Sequence, residues 1–254
     1  IKFANRFGFN IGKVTSNLIK NAVKIDTFKH LSGLRVLSEL KQIFSEDNPI
    51  PAVEIMTEYG IEKAIHKELT ITPNTYELLE SAKRALTWHD LLYLDEDYPR
   101  WAVYFMALLY RRPYRVCEEI MERLMIPVRE RRLLMERRYK AENRLSHIEN
   151  RFPVSRQEMY WALINFKTEC LLYMMALTKN EAVQKAISNF HTRHRYVTPL
   201  TRGKDLLAIG IQPGPVYTRI LNLIIDEKLS GRLTTRREEL EFATRYAIEN
   251  ELIK

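Results

Sequence analysis

The sequence predicts an all-α fold, an elongated array of about a dozen helices with little or no sheet. Three observations carry that reading. No glycine lies between Gly60 and Gly203, and a sheet of tight hairpins would need such residues at its turns. Apolar residues recur three and four apart in most segments, whereas strand-type alternation is scarce. Helix-start signals recur along the chain, as a hydroxyl residue followed by proline or, three positions on, by glutamate.

Ile11, Val14, Leu18 and Ile19 form the first apolar line. Ser32 is placed to cap a helix opening at Gly33, along which Val36, Leu37, Leu40, Ile43 and Phe44 share a face. Pro49 and Pro51 bracket a linker. Thr72-Pro73 reads as an N-cap followed by proline at the first helical position, where the missing N–H costs nothing. Pro99 is expected to do the same for the helix carrying Trp101, Tyr104 and Phe105. Ser155-x-x-Glu158 and Thr178-x-x-Glu181 read as capping boxes. Further breaks fall at Arg151 to Ser155 and at Thr198-Pro199. They predict a helical neck at 1–70, a central helical body at 71–195 and a C-terminal helical tail at 196–254.

The 254 residues are 46% hydrophobic, enough for a real core. Lys+Arg exceed Asp+Glu by 40 to 32, which suits RNA, DNA or a membrane surface without choosing among them. Cys117 and Cys170 lie in apolar helical stretches and read as buried thiols of a reducing, cytoplasmic setting. The clusters "WAVYFMALLY" and "ECLLYMMAL" are core helices by length, too short to cross a bilayer, so no membrane partner is expected. The chain opens on Ile1 rather than Met, which predicts a fragment or processed product with more polypeptide upstream.

Glycine returns in "GKDLLAIGIQPGP", Gly203 to Pro215. Thr201 is expected to start a short helix through Leu206, Leu207 and Ile209, which Gly210 ends in the left-handed conformation. Gln212-Pro213-Gly214 turns the chain, and Pro215 opens a helix that buries Val216, Ile220, Leu223 and Ile224. Thr218, Arg219 and Asn222 point elsewhere. The second helix's free amides and dipole favour an anion, and Arg202, Lys204 and Arg219 add positive charge. The unit reads as a backbone-phosphate clamp that includes Gly214 and Thr218, or as a tight turn needed only for helix packing.

Two other basic stretches invite RNA. "YRRPYR" offers Arg111, Arg112 and Arg115 beside tyrosines, for charge and stacking. "HTRHRY" offers Arg193 and Arg195 on a basic surface. Between Arg129 and Arg144 seven basic residues face three acidic ones, with Leu133, Leu134, Leu145 and Ile148 supplying the buried side. That face is either solvated or in contact with phosphates. His191-x-x-His194 and His89-Asp90 lack the further ligands a metal would need, and His89-Asp90 reads as surface or capping. Met121, Met125, Met135, Met159, Met174 and Met175 read as core filler. No catalytic residue, metal site or cofactor is assigned to the chain itself.

The segment "GKDLLAIGIQPGPVYTRILNLIIDEKLSGRLTTRREELEFA" resembles the tail of class II tRNA nucleotidyltransferases and bacterial poly(A) polymerases. The matching positions are Gly203, Asp205, Leu206, Gly210, Pro213, Gly214, Pro215, Leu221, Gly231, Thr235, Arg236 and Glu239. Independently, "IKFANRFGFNI" looks like the end of that family's nucleotide-recognition segment, and "LSGLRVLSELKQIF" like its neck motif with Arg35 and Glu39, which can pair at i, i+4. The resemblance implies the neck, body and tail of such an enzyme without its catalytic head. The parent would add A, or CCA, to tRNA 3′ ends, using magnesium and ATP, or CTP and ATP, on the head. The tail would grip tRNA by its phosphates, and this chain alone would not add nucleotides. A poly(A) polymerase parent and a non-catalytic helical protein-interaction domain are the alternatives.

Overall fold

The structure, a computed structural model, describes residues 7–253 except the Lys29 side chain. Ile1 to Arg6 of the segment likened to a nucleotide reader therefore lie outside the described residues. Among the described residues there are α-helices and 3-10 turns and no strand. The helices are α1 (Lys13–Lys24), α2 (Gly33–Ile43), α3 (Ile50–Tyr59), α4 (Ile61–Ile65), α5 (Pro73–Asp90), α6 (Arg100–Leu109), α7 (Tyr114–Arg123), α8 (Val128–Arg151), α9 (Arg156–Leu163), α10 (Thr168–Leu177), α11 (Glu181–Thr192), α12 (Gly203–Ala208), α13 (Pro215–Leu229) and α14 (Arg236–Glu249). Single 3-10 turns span Thr27–His30 and His194–Tyr196. The chain falls into two compact units, one running up to His147 with Phe166–Gln184, the other comprising Ile148–Asn165 and the residues from Lys185 on. Among the described residues no helix is long and apolar enough to cross a membrane.

In the first unit α5, α6 and α10 pack on one another. α6 is buried from Ala102 to Leu109 and α10 from Thr168 to Ala176, so both are core helices without a solvated face. Each large apolar side chain so buried contributes about 1.5–3 kcal/mol. α5 opens as expected: Thr72 accepts from the Thr75 amide, Thr75 returns the bond, and Pro73 follows the cap. Pro99 instead occupies the N-cap of α6, because Arg100 is the first helical residue. His89 is a correction to the surface reading. It is buried, edge-on to Tyr98 at 4.8 Å between ring centroids, while its neighbour Asp90 turns outward to hold Arg100 at 2.7 Å. Adjacent helical residues point to different sides, which is why the two part company.

Ser32 caps α2 by accepting from the Arg35 amide. Gly33 follows because nothing larger fits: a Cβ there would stand 2.1 Å from the Arg123 carbonyl oxygen. α7 closes in a Schellman motif with Met125 left-handed at φ 54, its amide on the Glu122 carbonyl and the Ile126 amide on that of Met121. That geometry leaves Met125 53% exposed, whereas the other methionines expected in the core are buried. The capping box expected at Thr178 does not form. Thr178 ends α10, and Asn180 caps α11 by accepting from the amides of Ala182 and Val183. α8 buries Met135, Arg138, Ala141, Leu145 and Ile148, while Leu133 is exposed and Leu134 half-buried.

In the second unit Ser155 and Glu158 form the expected capping box on α9. Trp161 Nε1 on α9 donates to Asp226 at 2.7 Å, and Gln157 donates to the Asp226 carbonyl at 3.2 Å, tying α9 to α13. α12, α13 and α14 close around Leu206, Ile211, Ile220, Ile224, Leu233, Ala243 and Ala247.

Candidate nucleic-acid interface

Most of the tail's signature residues have a local structural reason. α12 starts at Gly203 rather than at Thr201, because Asp205 caps it by accepting from the Arg202 amide at 2.8 Å. The Thr201 amide is committed elsewhere, to Glu239 at 2.7 Å. Gly210, at φ 92, ends α12 in a Schellman motif: its amide reaches the Leu207 carbonyl and the Ile211 amide that of Leu206. Gly231, at φ 79, closes α13 the same way. Thr235 caps α14, and Glu238 accepts from the amides of Thr234 and Thr235, which hold its carboxyl down at about 2.

Glu239 is the centre of this scaffold. It is fully buried, and Oε2 accepts from the Leu200 and Thr201 amides at 2.8 and 2.7 Å while Oε1 takes the Lys228 ammonium at 2.6 Å. Burial pushes its pKa up, but Lys228 and the two amides outweigh that and hold it below the ordinary value. Asp205 is likewise held low, first by the Arg202 amide and then by Arg236, whose guanidinium lies at 2.6 Å.

Outside this scaffold stands the turn. Gln212, Pro213, Gly214 and Pro215 are exposed. Gly214 has φ 169, extended backbone open to any residue, and no atom lies within 4 Å of where its Cβ would stand. Close packing is therefore not what calls for a glycine at this position. α13 buries Ile220, Ile224, Ile225 and Leu229. Val216 and Leu223, expected in the core, are half-buried. Leu223 borders an outer groove with Pro215, Thr218, Arg219, Asn222 and Asp226. A Cβ on Gly203 would stand 3.4 Å from the Tyr217 ring, so the start of α12 lies beside the first turn of α13.

Arg193, Arg202 and Lys204 are exposed and make no ion pair among the described residues. Arg219 is exposed and stands 5.9 Å from the Tyr246 ring centroid. Arg236 joins them, 56% exposed while it holds Asp205. Sequence reasoning used Arg236 only as a signature residue, and nothing local marks it as a neighbour of α12. Arg195 is less available: it is half-buried, bonded to Nδ1 of His191 at 2.9 Å and 5.6 Å from the Tyr196 ring centroid. "HTRHRY" is thus not a uniform basic surface, for His191 is fully buried. His194 is half-buried, and burial, with Arg156 and Arg193 adding to it, lowers its pKa.

In the first unit the "YRRPYR" arginines differ from one another. Arg112 donates to the carbonyls of Leu108 at 2.8 Å and Thr70 at 2.6 Å. Arg115 pairs with Glu68 at 2.8 Å and Glu119 at 2.7 Å, and Glu119 also meets His66 at 2.7 Å. Arg115 holds both carboxyls below their ordinary values. Arg111 alone of the three has no carboxylate or carbonyl partner among the described residues, and stands 5.2 Å from the Tyr110 ring centroid. On α8, Arg138 is buried, donating to the Leu109 carbonyl and, at 3.4 Å, to Cys117 Sγ. Burial still raises the Cys117 thiol pKa. Arg137 holds the buried Glu169 at 2.9 Å. Arg35 and Glu39 are both exposed, make no ion pair among the described residues, and border one cavity with Ile19, Phe28 and Met56.

Fold and side chains together define an all-α, cation-bearing helical scaffold. Residues 8–80 match the family model described as "Probable RNA and SrmB-binding site of polymerase A". Over 97% of its length the chain is 36% identical to the A-adding tRNA nucleotidyltransferase of Geobacter sulfurreducens, covering 28% of that protein. It is 21% identical, again over 97%, to the A-adding tRNA nucleotidyltransferase of Halalkalibacterium halodurans, covering 54% of it. The Thermotoga maritima CCA-adding enzyme solved in complex with tRNA shares the fold at TM-score 0.74 and 21% identity, over 96% of this chain and 59% of that one. Over nearly its whole length the chain is similar to tRNA nucleotidyltransferases, and it spans between about a quarter and about half of these two curated relatives.

Proposed function

We propose that this chain is the RNA-binding region of a tRNA nucleotidyltransferase that adds A, or CCA, to tRNA 3′ ends, and that it positions the tRNA through backbone contacts. A-adding is the preferred activity, since the curated relatives above carry that name. The carrying observation is the tail's exposed Pro213–Pro215 turn, with an unneeded glycine at its tip and Arg202, Lys204 and Arg219 exposed nearby in the sequence. Bare backbone and unpaired cations suit phosphates, which position a nucleic acid without reading its sequence. Nucleotide transfer, with magnesium and ATP or CTP, belongs in this reading to the rest of the parent polypeptide. Of the four buried carboxylates among the described residues, Glu169, Asp205 and Glu239 each face an arginine or lysine, which suits them to holding helices, while Glu62 has no ion pair there.

Titrating tRNA into the chain at rising salt tests the proposal. Affinity should fall steeply, with a log–log slope of about −0.9 per neutralised phosphate. Absent or salt-indifferent binding would return the chain to a protein-interaction role. Gly214→Val should weaken tRNA while leaving the melting temperature in place, because the space around Gly214 is open. Parallel loss of both would return the turn to packing.

A further inference from the structure

The corner where α6 ends is built around a residue that costs the fold something. The Arg112 amide bonds the Leu109 carbonyl at 3.2 Å, Tyr110 sits at φ −58, ψ 136, and Arg111 at φ 57. That is a type II β-turn with Arg111 at its third position, where a positive φ favours glycine. A left-handed arginine is disfavoured by its own Cβ. Its side chain gains little in return within the chain: it is exposed, forms no ion pair among the described residues, and meets only the Tyr110 ring. Met125 is left-handed too, but its side chain covers Gly33. Arg111 has no such packing duty. Tyr114, three residues on, is 61% exposed.

We infer that Arg111, flanked by Tyr110, is a contact for an unpaired RNA nucleotide, its guanidinium meeting one phosphate and its plane or the tyrosine face meeting a base. The inference rests on the RNA-binding reading above and extends it to the first unit. Duplex RNA calls for a row of free cations along its phosphates. Here Arg112 and Arg115 are already spent on Thr70, Glu68 and Glu119, so a single free guanidinium remains. One cation beside an aromatic ring fits the stacking chemistry by which proteins hold single strands.

The test uses the full chain, a twelve-nucleotide unstructured RNA and a blunt RNA duplex of equal length, with Arg111→Gly and Arg111→Asn. Both substitutes tolerate the left-handed turn, so neither should lower the melting temperature. Single-strand affinity should drop about fivefold or more, as for loss of one stacking contact, and its salt slope should lessen by about 0.7. Duplex affinity should stay unchanged. Unaltered single-strand binding in both variants overturns the inference and leaves the tail's role standing. Equal loss on both RNAs overturns the single-strand assignment, and so does a lower melting temperature in both variants, which would give Arg111 a structural duty. A wild-type chain that binds neither RNA overturns this contact together with the proposed function.

Discussion

The corner at Tyr110–Arg115 and the tail around Arg202–Arg219 each offer three cations in a short span, yet the two differ in what is left over. At the corner, Arg112 and Arg115 are taken up by carbonyls and carboxylates of the 66–70 segment and of α7. In the tail, the carboxylates that face inward, Asp205 and Glu239, are matched by Arg236 and Lys228, so Arg202 and Lys204 remain without ion pairs among the described residues. Counting basic residues does not measure positive surface. What counts is whether a carboxylate or a carbonyl has already claimed each cation.

The contrast can be broken from either side. Glu239→Ala should have the largest effect, because it strands Lys228 and two backbone amides around a fully buried position; removal of one partner of such a set costs about 3–5 kcal/mol, read by chemical denaturation. The pH dependence has a definite sign. The Glu239 carboxyl is held below its ordinary value, so its stabilisation is present above the unfolded value of about 4.3 and is lost as pH falls through the folded one. The variant should therefore show a flatter acid limb than wild type. Arg138→Met comes next: losing the donor to the Leu109 carbonyl should cost about 3 kcal/mol while tRNA affinity stays put. A fall in tRNA affinity at full stability would make the α8 arginines a phosphate face and sink the comparison. The smallest effect belongs to Arg115→Ala. Its ion pairs are exposed and screened by solvent, so chemical denaturation should show almost no change in stability, with no change in tRNA binding.

Much of the fold was legible in particular residues. Ser32, Thr72, Ser155 and Gly210 act where the sequence put them, since a cap or a left-handed glycine answers to backbone groups three to five residues away. Thr178 misled because Asn180, nearer the helix start, competes for the same amides. Leu223 misled because apolar spacing defines a stripe but not its width, and the edge of this one faces the outer groove. The candidate RNA residues were legible as types and not as states. Arg111 and Arg112 are neighbours with the same side chain, and only the turn between α6 and α7 separates their fates.

The sequence alone determined the helical character of the described residues, the caps at Ser32, Thr72 and Ser155 and the glycine that ends α12, because these depend on interactions within about one helical turn. The tertiary structure decided which charges are free. Arg115 finds Glu68 across 47 positions, Glu239 finds Leu200 across 39 and Arg236 finds Asp205 across 31. Pairings over such separations depend on how the helices pack, and no local pattern encodes them.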